Sequence, residues 1–127
     1  MSQPFETAFI SWLESNLPSN PDLGFGIGDD GAVLKMTTGV DMVVTTDLLT
    51  DRVDFLLDQV SPLLVGHKAL AVNLSDLAAM AAAPVGVVVS LAVPCTPPGG
   101  DSQFELATTL YSGMIKLAQQ SDVTIIG

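Results

Sequence analysis

The sequence is short of positive charge, of sulfur ligands and of long apolar runs. Four Lys and Arg stand against fourteen Asp and Glu, a formal net charge of −10 over 127 residues. Such a chain has no basic footprint for nucleic acid or for an anionic membrane, and an anionic partner would need a metal bridge. A single cysteine, Cys95, excludes an internal disulfide framework and any zinc site built on a cysteine cluster. It suits a reducing compartment and reads as a loop or strand-end residue. The only histidine, His67, reads as structural rather than as a ligand. Residues 1–17 lack a basic stretch followed by an apolar core, so no secretory signal is expected. No uninterrupted apolar run reaches the roughly 18 residues that a membrane-spanning helix needs, and a cytoplasmic location is expected.

What is present is apolar mass and a glycine-framed acidic turn. With 48% hydrophobic and 14% charged residues, the chain has the makings of one domain with a sizeable core, and shows neither repeats nor low-complexity segments. In the run Gly26-Ile27-Gly28-Asp29-Asp30-Gly31-Ala32-Val33-Leu34, two adjacent carboxylates sit among glycines ahead of a short apolar strand. Neighbouring negative charges repel, and glycine permits backbone angles and close approaches that a side chain blocks. The run reads either as a solvated acidic turn or as a site for a hard divalent cation such as Mg²⁺, which takes oxygen ligands and substrate phosphates.

In chain order, Phe5, Ala8, Phe9, Trp12, Leu13 and Leu17 recur at helical spacing and predict an amphipathic helix over 4–16, its aromatics in the core, ended by Pro18 and Pro21. Residues 18–26 then read as a loop delivering the Asp pair. Segments 32–36 and 41–46 predict a hairpin, the second strand rich in β-branched residues. It closes on Thr45-Thr46-Asp47, with Thr45 and Asp47 on one face of the extended chain. Arg52 is expected to pair locally with a neighbouring Asp. Ser61-Pro62 is an N-cap and N1 signal for a helix over 62–82 that is apolar nearly all round. A helix of that kind is expected to be buried on most sides, so Lys68, Asn73 and Asp76 need specific partners. Asn73 and Asp76, three apart, share a face, and a Lys68–Asp76 ion pair is one plain alternative to a ligand role. An apolar strand over 85–93, a helix over 101–120 capped by Asp101 and a last strand over 122–126 complete an α+β domain. Its expected mixed sheet carries the helices on one face.

Taken together, GIGDDGAVL at 26–34, VVTTDLL at 43–49 and HKALAVNLSDLAAMAAAPVGVVVSLAVP at 67–94 resemble the N-terminal domain of thiamine-monophosphate kinases. The superfamily also holds aminoimidazole ribonucleotide synthetase, selenophosphate synthetase and a hydrogenase maturation factor. The resemblance covers essentially the whole chain, including Leu110-Tyr111-Ser112-Gly113 and the closing Val123-Thr124-Ile125-Ile126-Gly127. It implies Mg²⁺ and ATP, transfer of the γ-phosphoryl group to thiamine monophosphate, and a homodimer closing a β-barrel across two subunits. The metal ligands it implies are Asp30, Thr45, Thr46, Asp47 and Asp76, with Asp29, Asn73 and Tyr111 at the nucleotide. Where the family has a His-Phe pair with the His on the thiamine substrate, this sequence has Asp54-Phe55, so Asp54 takes the substrate-binding position. The family continues past the equivalent of Gly127 into a further metal-binding Asp and a C-terminal domain. Residues 1–127 are therefore expected to form one N-terminal ATP/Mg-binding domain that dimerises without turnover on its own. Two rivals are a superfamily enzyme acting on another small molecule and a non-catalytic dimerisation module.

Overall fold

A computed structural model describes residues 4–18, 23–25, 33–34, 37–39 and 41–127. The first helix, α1 (Phe5–Asn16), buries Phe9 and Leu13. Phe5, Phe9 and Trp12 stack along it, and Phe9 meets Tyr111 edge-on with ring centroids 5.1 Å apart. Phe9 is thus a core residue, and Phe5 and Trp12 pack half-buried against the core.

Strand β1 (Leu23–Phe25) pairs antiparallel with β2 (Val33–Leu34). Part of the stretch expected to be a loop is therefore a strand. The hairpin partner expected at 41–46 is not a strand: residues 41–50 carry no regular structure, and Val44 and Leu48 are 80% and 86% exposed. A β-prone sequence becomes a strand only where a second backbone completes its ladder. Among the described residues none does so here. Among the described residues, two two-stranded sheets stand in place of the expected single mixed sheet.

The second sheet comes from the middle and the end of the chain. Strand β3 (Gly86–Val87) runs parallel to β4 (Thr124–Ile125), with flanking bonds from Val89 N–H to the Gly127 carbonyl and from Ile126 N–H to the Val87 carbonyl. Parallel strands need a long crossover, and α3 (Gln103–Gln120) lies within it. Its N-cap is Ser102 rather than Asp101. The Ser102 hydroxyl accepts from Glu105 N–H while the Glu105 carboxylate accepts from Ser102 N–H, a reciprocal capping box. The Ser102 N–H, and the Ser102 hydroxyl that also reaches the carboxylate, hold the Glu105 carboxyl below its usual pKa.

Helix α2 (Pro62–Ala79) starts at the expected Ser61-Pro62 and packs across α3. The two backbones touch: a Cβ on Gly66 would overlap the Leu110 carbonyl, and one on Gly113 would overlap the Leu63 carbonyl. Only Val65, Gly66 and Leu70 of α2 are buried. The expectation of a helix buried on most sides is therefore corrected, because α3 covers one face and leaves Leu64, Ser75 and Asp76 exposed.

α2 ends three residues earlier than the sequence predicts, and the reason is a left-handed residue. Ala81 (φ 53°) follows the cap residue Met80, with Ala82 N–H on the Leu77 carbonyl and Ala81 N–H on the Ala78 carbonyl. This is the hydrogen-bond pattern of a Schellman stop, a position that glycine fills without steric cost. Ala81→Gly is expected to stabilise the protein by about 1 kcal/mol, raising the melting temperature by about 4 °C. A thermal melt with an unchanged or lower midpoint would refute that reading of the turn.

Candidate functional site

The candidate ligands divide by where the backbone carries them. Asp29 and Asp30, the acidic turn, lie outside the described residues. Thr45, Thr46 and Asp47 sit on the unpaired segment 41–50, with Thr45 half-buried and the other two exposed. Asn73 and Asp76 lie on the last turns of α2, where Asn73 is half-buried and its amide donates back to the Ala69 carbonyl at 3.1 Å.

One contact joins the two groups. The Thr45 hydroxyl donates to Oδ2 of Asp76 at 3.1 Å, across 31 residues of sequence. The Asp76 partner is thus a hydroxyl from another ligand candidate, and not Lys68. Two hard oxygen donors held side by side on an exposed surface suit a divalent cation of the Mg²⁺ type, which retains several waters. Among the described residues no group of three or more His, Cys, Asp and Glu is arranged to hold a metal. A full carboxylate set at this surface would have to draw on residues beyond those described.

Asp54 lies on the loop 50–58, which begins three residues after Asp47. Its carboxylate turns back on its own loop, with Oδ2 accepting from Thr50 N–H at 2.7 Å. Asp51 Oδ1 likewise accepts from Leu57 N–H at 2.9 Å, and Arg52 adopts a left-handed φ of 66°. The guanidinium of Arg52 stands 3.9 Å from Asp51 and 4.0 Å from Asp58, the local pairing expected of it. Sequence reasoning missed the role of Lys68: its ammonium donates to the backbone carbonyl of Asp54 at 2.7 Å. The only signal was its place on a mostly apolar helix.

Tyr111 is a core residue. It is 3% exposed and packs on Phe9, and burial pushes its hydroxyl pKa up to about 12. A recess lined by Leu57, Asp58, Pro62, Gly99, Asp101 and Leu106 includes none of the candidate ligands. No helix among the described residues is long and apolar enough to cross a membrane.

Comparison with known proteins bears on this surface. Residues 28–127 match the profile of the family described as AIR synthase related protein, N-terminal domain. The thiamine-monophosphate kinase of Rhodopirellula baltica is 36% identical over 129 residues, covering 96% of this chain and 39% of the relative. That of Bacillus subtilis is 41% identical over 102 residues, 80% of this chain and 30% of the relative. The crystal structure of thiamine-monophosphate kinase from Stenotrophomonas maltophilia superposes with a TM-score of 0.74 at 31% identity, covering 99% of this chain and 37% of that one. The chain thus spans less than two fifths of the length of these relatives.

Proposed function

The chain belongs to the AIR synthase related N-terminal domain family, and from that premise we propose that it is the metal- and nucleotide-binding part of a kinase that phosphorylates thiamine monophosphate to thiamine diphosphate. The observation that carries this is the Thr45–Asp76 contact, which brings two of the implied ligands together from distant parts of the sequence. Phosphoryl transfer asks the protein mainly to hold phosphates in line and neutralise their charge. In a chain of net charge −10, metal ions would supply that positive charge.

Asp76, Thr45, Thr46 and Asp47 would hold Mg²⁺, joined by Asp30, and the bound ions would bridge and neutralise the ATP phosphates. Asp29 and Asn73 complete the nucleotide side. We assign Tyr111 to packing rather than to the nucleotide, since burial leaves its ring no free face. The loop 50–58 borders the phosphoryl acceptor, and Asp54 contributes by closing that loop. A homodimer fits the exposed apolar side chains of Met42, Val44, Leu48, Val85 and Val88, which a second copy would cover while offering residues 41–46 a backbone to pair with. A cytoplasmic setting suits both substrates.

The experiment is the reaction itself: full-length protein, ATP, MgCl₂ and thiamine monophosphate, with thiamine diphosphate followed by chromatography. Product that depends on both protein and Mg²⁺ is expected. Its absence, with turnover of an aminoimidazole-type or selenide acceptor instead, would overturn the substrate assignment.

A further inference from the structure

The segment that follows Thr45 is tied to α2 twice. Thr45 is bonded to Asp76, and nine residues later the Asp54 carbonyl is bonded to Lys68. Lys68 and Asp76 lie eight residues apart on one helix, which at helical rise is about 12 Å. Residues 45–54 are therefore laid along α2, fixed at one end by a candidate metal ligand and at the other by Lys68.

The second tie is specific. Carboxylates at 51, 54 and 58 surround the loop, yet the described ion pairs in it are both made by Arg52, and the Lys68 ammonium bonds a carbonyl instead. A bond to the main chain fixes where the backbone runs, which an ion pair to a rotatable carboxylate would not. The loop is also stiff internally: Asp54 N–H donates to the Thr50 carbonyl at 2.9 Å and Arg52 N–H to the Phe55 carbonyl at 2.7 Å, beside the two carboxylate bonds already described. Those internal bonds adjoin the Asp54 carbonyl that Lys68 holds, so releasing that carbonyl loosens the loop and lets its amides open. Phe55 and Leu57 pack against the core and keep it attached.

We propose that Lys68 is a positioning residue: from the helix that carries Asp76, its ammonium sets the height of the loop 50–58 over the site and thereby the affinity for the phosphoryl acceptor, without touching it. This rests on the reading of the protein as a kinase whose acceptor lies against that loop.

The test uses the full-length protein with Lys68→Met and Lys68→Arg, read by steady-state kinetics and by hydrogen exchange. Removing a charge-assisted bond in Lys68→Met is expected to raise KM for thiamine monophosphate about tenfold, with KM for ATP unchanged. Amide exchange at Thr50, Asp54 and Leu57 should quicken while α3 stays protected. Lys68→Arg, which still offers N–H donors to the carbonyl, should recover most of both. Unchanged exchange in the loop of Lys68→Met overturns the proposal whether or not the protein is a kinase. Faster exchange with an unchanged acceptor KM, or a rise in both KM values together, also overturns it. An unsubstituted protein that makes no thiamine diphosphate refutes the kinase reading instead, and the exchange result then still decides the tether.

Discussion

Gly66→Ala and Gly113→Ala are each expected to destabilise the protein by about 3 kcal/mol or more, and the double variant is expected not to fold. Two effects oppose each other. Alanine is the better helix former by about 1 kcal/mol in a helix interior, so on propensity alone both changes would stabilise. Against this, the added methyl at either position enters the carbonyl of the facing helix, which is backbone and cannot rotate away. Relief requires the helices to separate, and that opens the core to which Val65, Leu70, Leu110 and Met114 belong. The clash therefore outweighs propensity. Ser75→Ala, on an exposed turn of α2, should stay within about 0.5 kcal/mol and serves as the control. Urea unfolding in which Gly66→Ala and Ser75→Ala share a midpoint would contradict this account of how α2 and α3 meet.

Much of the fold was legible because helices declare themselves locally. The 3.6-residue spacing of Phe5, Phe9 and Trp12, and the Ser61-Pro62 start, are properties of neighbouring residues, and α1, α2 and α3 all form within the segments so marked, α2 stopping early at Ala79. The errors came where a partner distant in sequence decides. Residues 41–46 have strand composition but no second backbone to complete a ladder among the described residues, while Leu23–Phe25, with no strand pattern, has β2 beside it. Position 81 could not reveal its left-handed turn, since an alanine there carries no signal. Asp101 and Ser102 are both good caps, and the choice fell to Ser102 because Glu105 lies three residues on and closes the box. At the site, chemistry singled out Asp76 and the Thr45-Thr46-Asp47 run separately, and their meeting followed only from the family resemblance. That Lys68 would bond the main chain of residue 54 was beyond any pattern.

The second large effect is expected at Asp76. Asp76→Asn keeps the side-chain volume and an oxygen that still accepts the Thr45 hydroxyl, so the fold and the local tie should survive, with a melting temperature within a few degrees of the parent. What it removes is the negative charge. If Asp76 holds Mg²⁺, turnover of the full-length protein should fall by about a hundredfold or more. The Mg²⁺ concentration needed for half-maximal rate should rise. Thr45→Ala should cost less, because a hydroxyl contributes no net charge to the ion. An Asp76→Asn protein as active as its parent at low Mg²⁺ would remove Asp76 from the ligand set.

The most direct measurement is the position of the ion. Crystals of the full-length protein grown with Mn²⁺ and a non-hydrolysable ATP analogue, with data collected for anomalous scattering, locate the metal independently of any assay. The expected result is a peak with an Asp76 carboxylate oxygen and an oxygen from residues 45–47 each at about 2.1 Å. A metal bound to the nucleotide with Asp76 still bonded only to Thr45, or a peak elsewhere on the surface, would contradict the assignment of this site.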